Sequence, residues 1–381
     1  MLKTFAYRLY PSKPQARLLE RTLETCRRWY NQCLAERRDA YQQRGETVSK
    51  FAQLAKVKEQ KASNPYATGI HSHVLQVVVD DLDKAFQAFF RRVKAGETPG
   101  YPRFKGRHRF DSFGFKEHGN GFKVDGRRLK LSGIGRVAVR WHRPIEGRIK
   151  TLRISKKAGK WFASFSCVVD EPTPLPATGK DVGIDVGLAS LITTSEGQKE
   201  PHPGWYRTAE RKLRVLQRRV ARRKKGSTNR RKAVQALQRQ HERIANTRKD
   251  YLKKLAHRLI TQYDRIALED LRITNMVRNR HLAKSILDAG WGYLIQHLTS
   301  KAAEAGRVVC LVDARYTSKT CSQCGHVFES LSLSDRWIDC GCGLSMDRDH
   351  NAAVNILKRA GQVRWGISSP VGGLPQEAAG F

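Results

Sequence analysis

The chemistry-bearing residues of this chain gather toward its C-terminal end, in the stretch Lys319–Ile356. Cys321 and Cys324 are spaced C-x2-C, and Cys340 and Cys342 C-x-C, each pair beside glycines (Gly325, Gly341, Gly343) that let the backbone turn tightly. Two close pairs of thiolates aimed at one point form a structural zinc ribbon. The alternative is a pair of disulfides or four unrelated thiols, but nothing in the chain suggests secretion and disulfides do not persist in a reducing compartment. The second pair is one residue shorter than the usual C-x2-C. Cys26, Cys33, Cys167 and Cys310 sit among apolar neighbours and read as core residues.

An acid-rich turn follows the last cysteine. Asp347 and Asp349 flank Arg348, and from His350 the residues Ala352, Ala353, Ile356 and Leu357 recur at helical spacing. Carboxylates are favoured at a helix start, so alone this pattern is a helix cap. Its meaning changes if other carboxylates can join it. Asp185 closes the apolar run Asp181–Asp185 just before Gly187, and Glu269 closes Arg265–Glu269. An Asp before a glycine turn is common, but two acids at strand ends and one at a helix start make a set. Ribonuclease H-like nucleases hold two divalent ions, roughly 3.5–4 Å apart, on such a set. Hard oxygen donors suit magnesium.

Composition names the partner class. With 72 Lys and Arg against 35 Asp and Glu the formal charge is +37, which points to a polyanion and first to nucleic acid. A membrane surface competes, but no apolar run reaches the roughly 18 residues of a spanning helix, and the start MLKTFAYRLYPS lacks a signal-peptide core. The expectation is a soluble cytoplasmic chain of several domains.

The elements that would position these residues can be read in order. Thr4 to Tyr10 alternates as a strand. Pro14 to Gln43 and Val74 to Val93 carry helical apolar stripes, so a helical insertion follows the first strand. Gly100 to Lys105 interleaves aromatics with cations, and its Tyr101 and Lys105 could stack on bases and hold phosphates; the alternative is a surface loop with aromatic anchors. From Phe122 to Val169 short alternating strands broken by glycines predict a small antiparallel barrel that includes the first strand. The proline-rich bridge 171–176 ends it. Next come the strand bearing Asp185, a partner strand Ala189 to Thr194, and a strongly basic helical hairpin, Arg207 to Tyr263, broken at Gly226-Ser227. The strand bearing Glu269, a helix from about Ser285 to Glu304, and a strand Arg307 to Val312 lead into the cysteine region. A Lys/Arg-covered hairpin is often only a solvated face; in so basic a chain it is a candidate phosphate binder.

Together these segments resemble the TnpB family, transposon-encoded RNA-guided nucleases related to type V CRISPR effectors. The resemblance is carried by Arg28-Trp-Tyr-Asn31, Gly100-Tyr-Pro-Arg-Phe-Lys105, Gly183-Ile-Asp-Val-Gly187, Leu268-Glu-Asp-Leu271, Asp288-Ala-Gly-Trp291, Tyr316-Thr-Ser-Lys-Thr-Cys-Ser-Gln-Cys-Gly325 and Asp347-Arg-Asp-His-Asn-Ala-Ala353. It implies a multidomain α/β chain: a wedge β-barrel (1–12 and 95–170) with a helical recognition insertion (13–94), a linker (171–176), then a RuvC-like, ribonuclease H-like nuclease domain (177–314 and 344–360). A zinc ribbon (315–343) interrupts the nuclease domain, and a disordered tail (361–381) follows it. The resemblance implies catalytic acids at Asp185, Glu269 and Asp349, the last chosen over Asp347 because the family's acid precedes x-Asn-Ala-Ala. It also implies two magnesium ions on those acids and zinc on Cys321, Cys324, Cys340 and Cys342. A guide RNA from the transposon end and double-stranded target DNA are the implied partners, one protein copy holding one RNA. DNA is cut beside a short adjacent motif, whose readers would include Ser72, His73 and Gln76; for these three a polar helix start is the alternative. Two other readings of the chain are a nuclease-inactive RNA-guided repressor and an RNA-independent DNA nuclease or resolvase.

Overall fold

The structure, a computed structural model, describes residues 1–107, 109–332 and 335–362. The predicted disordered tail 361–381 lies outside the described residues from 363 onward; Gly361 and Gln362 end the last helix. The chain divides into two compact units, Met1–Asp170 and Glu171–Phe381.

The first unit is a sheet wrapped on helices. Strand β1 (Leu2–Tyr10) leads into α1 (Lys13–Arg44), whose start is fixed by a capping box between Ser12 and Gln15 and whose end is a left-handed Gly45. Three short helices, α2 (Lys50–Ala55), α3 (Val57–Ser63) and α4 (Pro65–Thr68), precede α5 (Ser72–Lys94). The remaining strands are β2 (Ser112–Phe115), β3 (Glu117–His118), β4 (Gly121–Asp125), β5 (Arg128–Leu131), β6 (Gly135–Arg140), β7 (Arg148–Lys157) and β8 (Lys160–Val168). The alternation of β1 and β8 puts Phe5, Tyr7, Leu9, Trp161, Ala163 and Phe165 on one buried face, against Leu19, Cys26 and Trp29 of α1 and Val78 and Leu82 of α5.

The barrel expectation needs correction. The ladder runs β2-β7-β8-β1-β6-β5-β4-β3, and its two edge strands are not hydrogen-bonded to each other. They are nonetheless consecutive in the chain, joined through Lys116 alone, so the sheet must curl until its edges approach. Two-residue β3, spent on a pairing with β4, is too short to complete the ladder.

The second unit holds a five-stranded sheet of β9 (Asp181–Asp185), β10 (Ser190–Thr194), β11 (Lys199–Pro201), β12 (Arg265–Glu269) and β13 (Val308–Val312), in the order β11-β10-β9-β12-β13. The first three strands are antiparallel; β9, β12 and β13 run parallel. The basic hairpin consists of α6 (Trp205–Ala221) and α7 (Thr228–Gln262), after which come α8 (Ile273–Met276), α9 (Ala283–Ala289) and α10 (Trp291–Ala305). The single helix expected from Ser285 to Glu304 is split by Gly290, whose left-handed φ of 69° ends α9 and opens α10. Gly204 supplies no side-chain cap to α6; the buried Asp288 does so from a distance, accepting from the Tyr206 N–H at 2.7 Å.

The two faces of this sheet are covered differently. Val182, Ile184, Ile266 and Leu268 pack on Leu252, Leu255, Leu259, Leu294 and Leu298 of α7 and α10. On the other face the mid-strand residues Gly183 and Ala267 are small, and Ala267 meets Ile356 and Ala360 of the last helix, α11 (Arg348–Gln362). Between β13 and α11 lies the cysteine-bearing segment, with the hairpin β14 (Trp337–Asp339) and β15 (Ser345–Asp347). The bridge 171–176 is fastened to this unit: the Leu175 N–H donates to Ala305 O (2.9 Å), and the buried Arg307 donates to Pro176 O (2.6 Å) while pairing with Asp264 (2.7 Å).

Candidate active site and metal centre

Register places the first two acids together. β9 and β12 are parallel, with Gly183 opposite Ala267 and Ile184 opposite Leu268, so Asp185 and Glu269 end adjacent strands one step further on, strands that lie about 4.8 Å apart. Period-2 alternation puts both carboxylates on the face of Gly183 and Ala267, the face that α11 covers.

Gly183 sets how close that helix comes. A Cβ there would sit 2.1 Å from Ala353 O and 2.7 Å from Leu357 N, so only glycine admits the backbone of α11. From Gly183 to Asp185 is about 6.6 Å along a strand. From Ala353 back to Asp349 is about 6 Å along a helix. One turn of α11 thus matches two residues of β9, and Asp349 arrives beside Asp185.

The electrostatics agree with that placement. Burial, then Glu269, then Asp349 drive the Asp185 carboxyl well above its ordinary range, with Arg348 opposing. Burial also raises Glu269, against a hydrogen bond from the Thr317 hydroxyl and the charge of Arg359. Asp347 is otherwise engaged. Its Oδ1 accepts from the N–H groups of Asp349 and His350 (3.1 Å each), capping α11, and its Oδ2 pairs with Lys199 at 2.6 Å. Although burial opposes it, Lys199 and those N–H groups hold its carboxyl below the ordinary range.

The cysteines form the second cluster. Among the described residues they alone gather three or more potential metal ligands within 4.8 Å of one another; the three carboxylates are set wider. Sγ of Cys321 lies 3.7 Å from that of Cys342, and Cys324 3.6 Å from Cys340. Tetrahedral Zn–S bonds of about 2.3 Å require sulfurs about 3.8 Å apart, and the shortened C-x-C pair meets that spacing. Burial works against ionising Cys321, but the N–H groups of Cys324 and Gln323 and neighbouring thiols bring it down to about 7. A hydrogen bond from the Cys342 N–H favours the Cys340 thiolate, yet burial and the other three thiols push it up to about 12. Four thiolates therefore coexist only around a cation, and the donor set fits zinc.

Helix α11 joins the two clusters. The Asn351 side chain, fully buried, donates to Thr320 O (2.7 Å) and accepts from the Ser322 N–H (2.7 Å). Asn355, one turn on, donates to Thr317 O (2.9 Å) and Thr320 O (2.6 Å). Arg359 donates to Asp313 O (2.7 Å) and Arg315 O (2.6 Å), and Lys358 to Ser322 O. The loop that carries Cys321 is thereby fixed to the helix that carries Asp349, and through Thr317 to Glu269. Sequence reasoning gave these asparagines no role. Their i, i+4 spacing on a helix flanking a cysteine loop was the available signal.

The predicted nucleic-acid contacts, all in the first unit, separate into two places. Ser72, His73 and Gln76 lie in the first turns of α5. Ser72 accepts from Lys61 at 3.4 Å, and the His73 ring stands edge-on to His71 at 4.7 Å, its burial holding the imidazole below its ordinary pKa. Tyr101 packs edge-on to Phe86 and Phe89 (5.5 and 5.4 Å) near the other end of that helix, about 20 Å away. Lys105 has its backbone clamped by Asn31, which donates to Lys105 O (3.0 Å) and accepts from Lys105 N (2.8 Å), and its ammonium lies over Tyr30. Two segments singled out in the sequence, 28–31 and 100–105, are thus one structural unit.

Comparison with known proteins gives the class first. Residues 164–280 match a family described as "Probable transposase", residues 291–356 "Cas12f1-like, TNB domain", and residues 1–46 "Helix-turn-helix domain", although residues 1–46 here hold one strand and one continuous helix. The chain is 37% identical over 362 residues to a Streptomyces pristinaespiralis protein named "Putative RNA-guided DNA endonuclease", covering 93% of this chain and 88% of the relative. It is 30% identical over 376 residues to InsQ of Escherichia coli K12, similarly named, covering 93% and 92%. The fold is similar to Cas12f1 as seen in a cryo-EM complex with sgRNA and target DNA, with a TM-score of 0.59 at 13% identity over 93% of this chain and 98% of that one. The class is that of transposon-associated RNA-guided DNA endonucleases. This chain belongs to the TnpB family.

Proposed function

We propose that this chain is an RNA-guided DNA endonuclease whose single cutting centre is formed by Asp185, Glu269 and Asp349. The observation that carries the reading is the convergence of these three acids at one end of the β9–β12 pair, two by strand register and one by the close approach of α11 at Gly183. The strand order, three antiparallel strands followed by two parallel ones, supports reading the unit as a ribonuclease H-like domain of the RuvC type, and the four gathered cysteines support reading the segment that interrupts it as a zinc ribbon.

The donor set fits hard divalent cations: three carboxylates, one of them raised by burial and then by the charge of the other two. Bound there, magnesium would activate a water and stabilise the leaving oxygen of a phosphodiester. The chain's own residues prepare that site. Thr317 fixes the rotamer of Glu269 by its hydroxyl, Asp347 caps α11 and so aims Asp349, and Lys199 keeps Asp347 ionised for that task.

A guide RNA made from the transposon end supplies sequence recognition by pairing, while the chain reads a short motif beside the target. Arg218, Arg219, Arg222, Arg223 and Lys224 at the turn of the α6–α7 hairpin, most of them exposed, suit a nucleic-acid backbone. Ser72, His73 and Gln76 are the candidate motif readers, and Tyr101 and Lys105 a separate contact. One chain is expected to serve one RNA. Among the described residues no helix is long and apolar enough to cross a membrane.

Asp185→Ala tests the reading. It should abolish magnesium-dependent cleavage of DNA matching the guide and leave RNA-directed binding of that DNA intact. Cleavage at the parent rate would show that the metal site lies elsewhere. Loss of cleavage from protein freed of RNA, restored by adding the guide, separates this reading from that of an RNA-independent nuclease.

A further inference from the structure

On the sheet face opposite α11, where α7 and α10 meet the bridge 171–176, lies a cavity of about 380 Å³, within the range of small-molecule sites. Its lining holds side chains of two kinds. Pro172 and Leu175 of the bridge, with Ile260 of α7 and Ala305 of α10, are apolar. Leu175 is 40% exposed, although its backbone is fastened to Ala305 and Arg307; the fold fixes an apolar side chain at the mouth without covering it. The same two helices add nitrogenous side chains: Lys253 and His257 from α7, His297 and Lys301 from α10. Glu304, the one carboxylate of the lining, pairs with Lys301 at 2.6 Å, while Lys253 has no carboxylate partner among the described residues. Tyr293 stacks parallel to His297 at 5.8 Å, with Lys249 over its ring.

A cavity lined both by apolar side chains of the bridge and by cations and imidazoles of two helices has the chemistry of a nucleotide site: a flat base against proline and leucine, a phosphate against lysine and histidine. Burial and the flanking Lys253 and Lys301 lower the His297 pKa, so the imidazole offers a neutral donor or acceptor there and becomes a better cation when an anion enters. We propose that this cavity receives one nucleotide, with its phosphate on Lys253, His257 and His297 and its base against Pro172 and Leu175. The nucleotide would come from the bound RNA, an assignment that rests on the RNA-guided reading, or from a free nucleoside monophosphate.

Two arms separate the sources. In the first, the complex is purified from cells grown with 4-thiouridine, irradiated, and its cross-linked peptides mapped. In the second, uridine 5′-monophosphate is titrated into the isolated full-length protein and followed by ligand-observed NMR. Lys253→Gln with His297→Ala is the variant for both; Lys253 is exposed and His297 half-buried, so neither change opens the core. Cross-links on 253–258 or 297–305 that the variant loses, while those on 218–232 persist, assign the site to RNA. Nucleotide binding weakened at least about tenfold by the variant, the scale of losing one or two charge-assisted hydrogen bonds, assigns it to a free nucleotide. Neither signal, or binding unchanged in the variant, overturns the proposal. If a defined RNA co-purifies and cross-links only elsewhere, and the monophosphate does not bind, the cavity inference fails and the RNA-guided reading stands. If no defined RNA is held but the monophosphate binds, the outcome is reversed.

Discussion

Gly183→Ala adds one methyl group at the point where α11 lies on the sheet. Its carbon would stand 2.1 Å from Ala353 O, 2.7 Å from Leu357 N and 2.9 Å from Leu357 Cβ. Carbon–oxygen contacts settle near about 3.3 Å, so the helix must retreat by about 1.2 Å, and the obstacle is backbone that no rotamer change can relieve. Asp349 is one turn from Ala353 in the same helix and moves with it, away from Asp185 and Glu269. A misplacement of about 1 Å in a catalytic constellation costs on the order of 10²-fold in rate. Overpacking costs about 1–3 kcal/mol of stability. The assay is single-turnover cleavage of guide-matched DNA, with thermal melting and RNA-directed DNA binding measured alongside. The expected result is a cut rate lowered about a hundredfold in a protein that still folds and still binds. Cleavage at the parent rate would refute the claim that Gly183 sets the position of Asp349.

Three further outcomes follow from the site. Thr317→Val removes the hydroxyl that holds Glu269, so the magnesium concentration for half-maximal cleavage should rise several-fold, and manganese binding followed by EPR should weaken in parallel; Thr317→Ser should restore both. Cys342→Ser should reduce zinc, measured by chelator release, from one per chain, and lower cleavage because the loop 313–322 that presents Thr317 keeps its hydrogen bonds to α11 but loses its tie through Cys321; full zinc with full activity would contradict that role for the cysteine cluster. Asn31→Ala breaks both hydrogen bonds to the Lys105 backbone, at a cost of about 1–3 kcal/mol, and should make the loop 100–105 more sensitive to proteolysis without changing zinc content.

The features legible in the sequence were those with a local signature. Cysteine spacing revealed the four-cysteine cluster, helical stripes revealed α1, α5 and the basic hairpin, and the apolar runs ending in Asp185 and Glu269 marked two strands, though not that they are parallel neighbours. What escaped was set by contacts distant in sequence. Of the two glycines of GIDVG only Gly187 reads as turn chemistry from the sequence; Gly183 is needed because a helix that begins 165 residues later packs against it. Apart from the spacing to Asn-Ala-Ala that the resemblance supplies, Asp347 and Asp349 look equivalent in the chain; capping geometry and Lys199 separate them physically. The barrel was over-read because alternating strands give pairing tendency but not ladder closure, which the two-residue β3 does not complete. Lys105 reads from the sequence as a nucleic-acid contact, whereas its backbone is held by Asn31, a residue the sequence singles out only as part of the motif 28–31.

The central claim is that the RNA, held by this chain, chooses where the Asp185 centre cuts. The most direct measurement loads the purified protein with either of two RNAs that differ only in their guide segment, and maps the cuts on one DNA carrying both matching sites beside the same adjacent motif. The account expects the cut to move with the guide, to require magnesium, and to vanish with Asp185→Ala. Cuts at the same place whichever RNA is supplied, or cuts made without RNA, would contradict it.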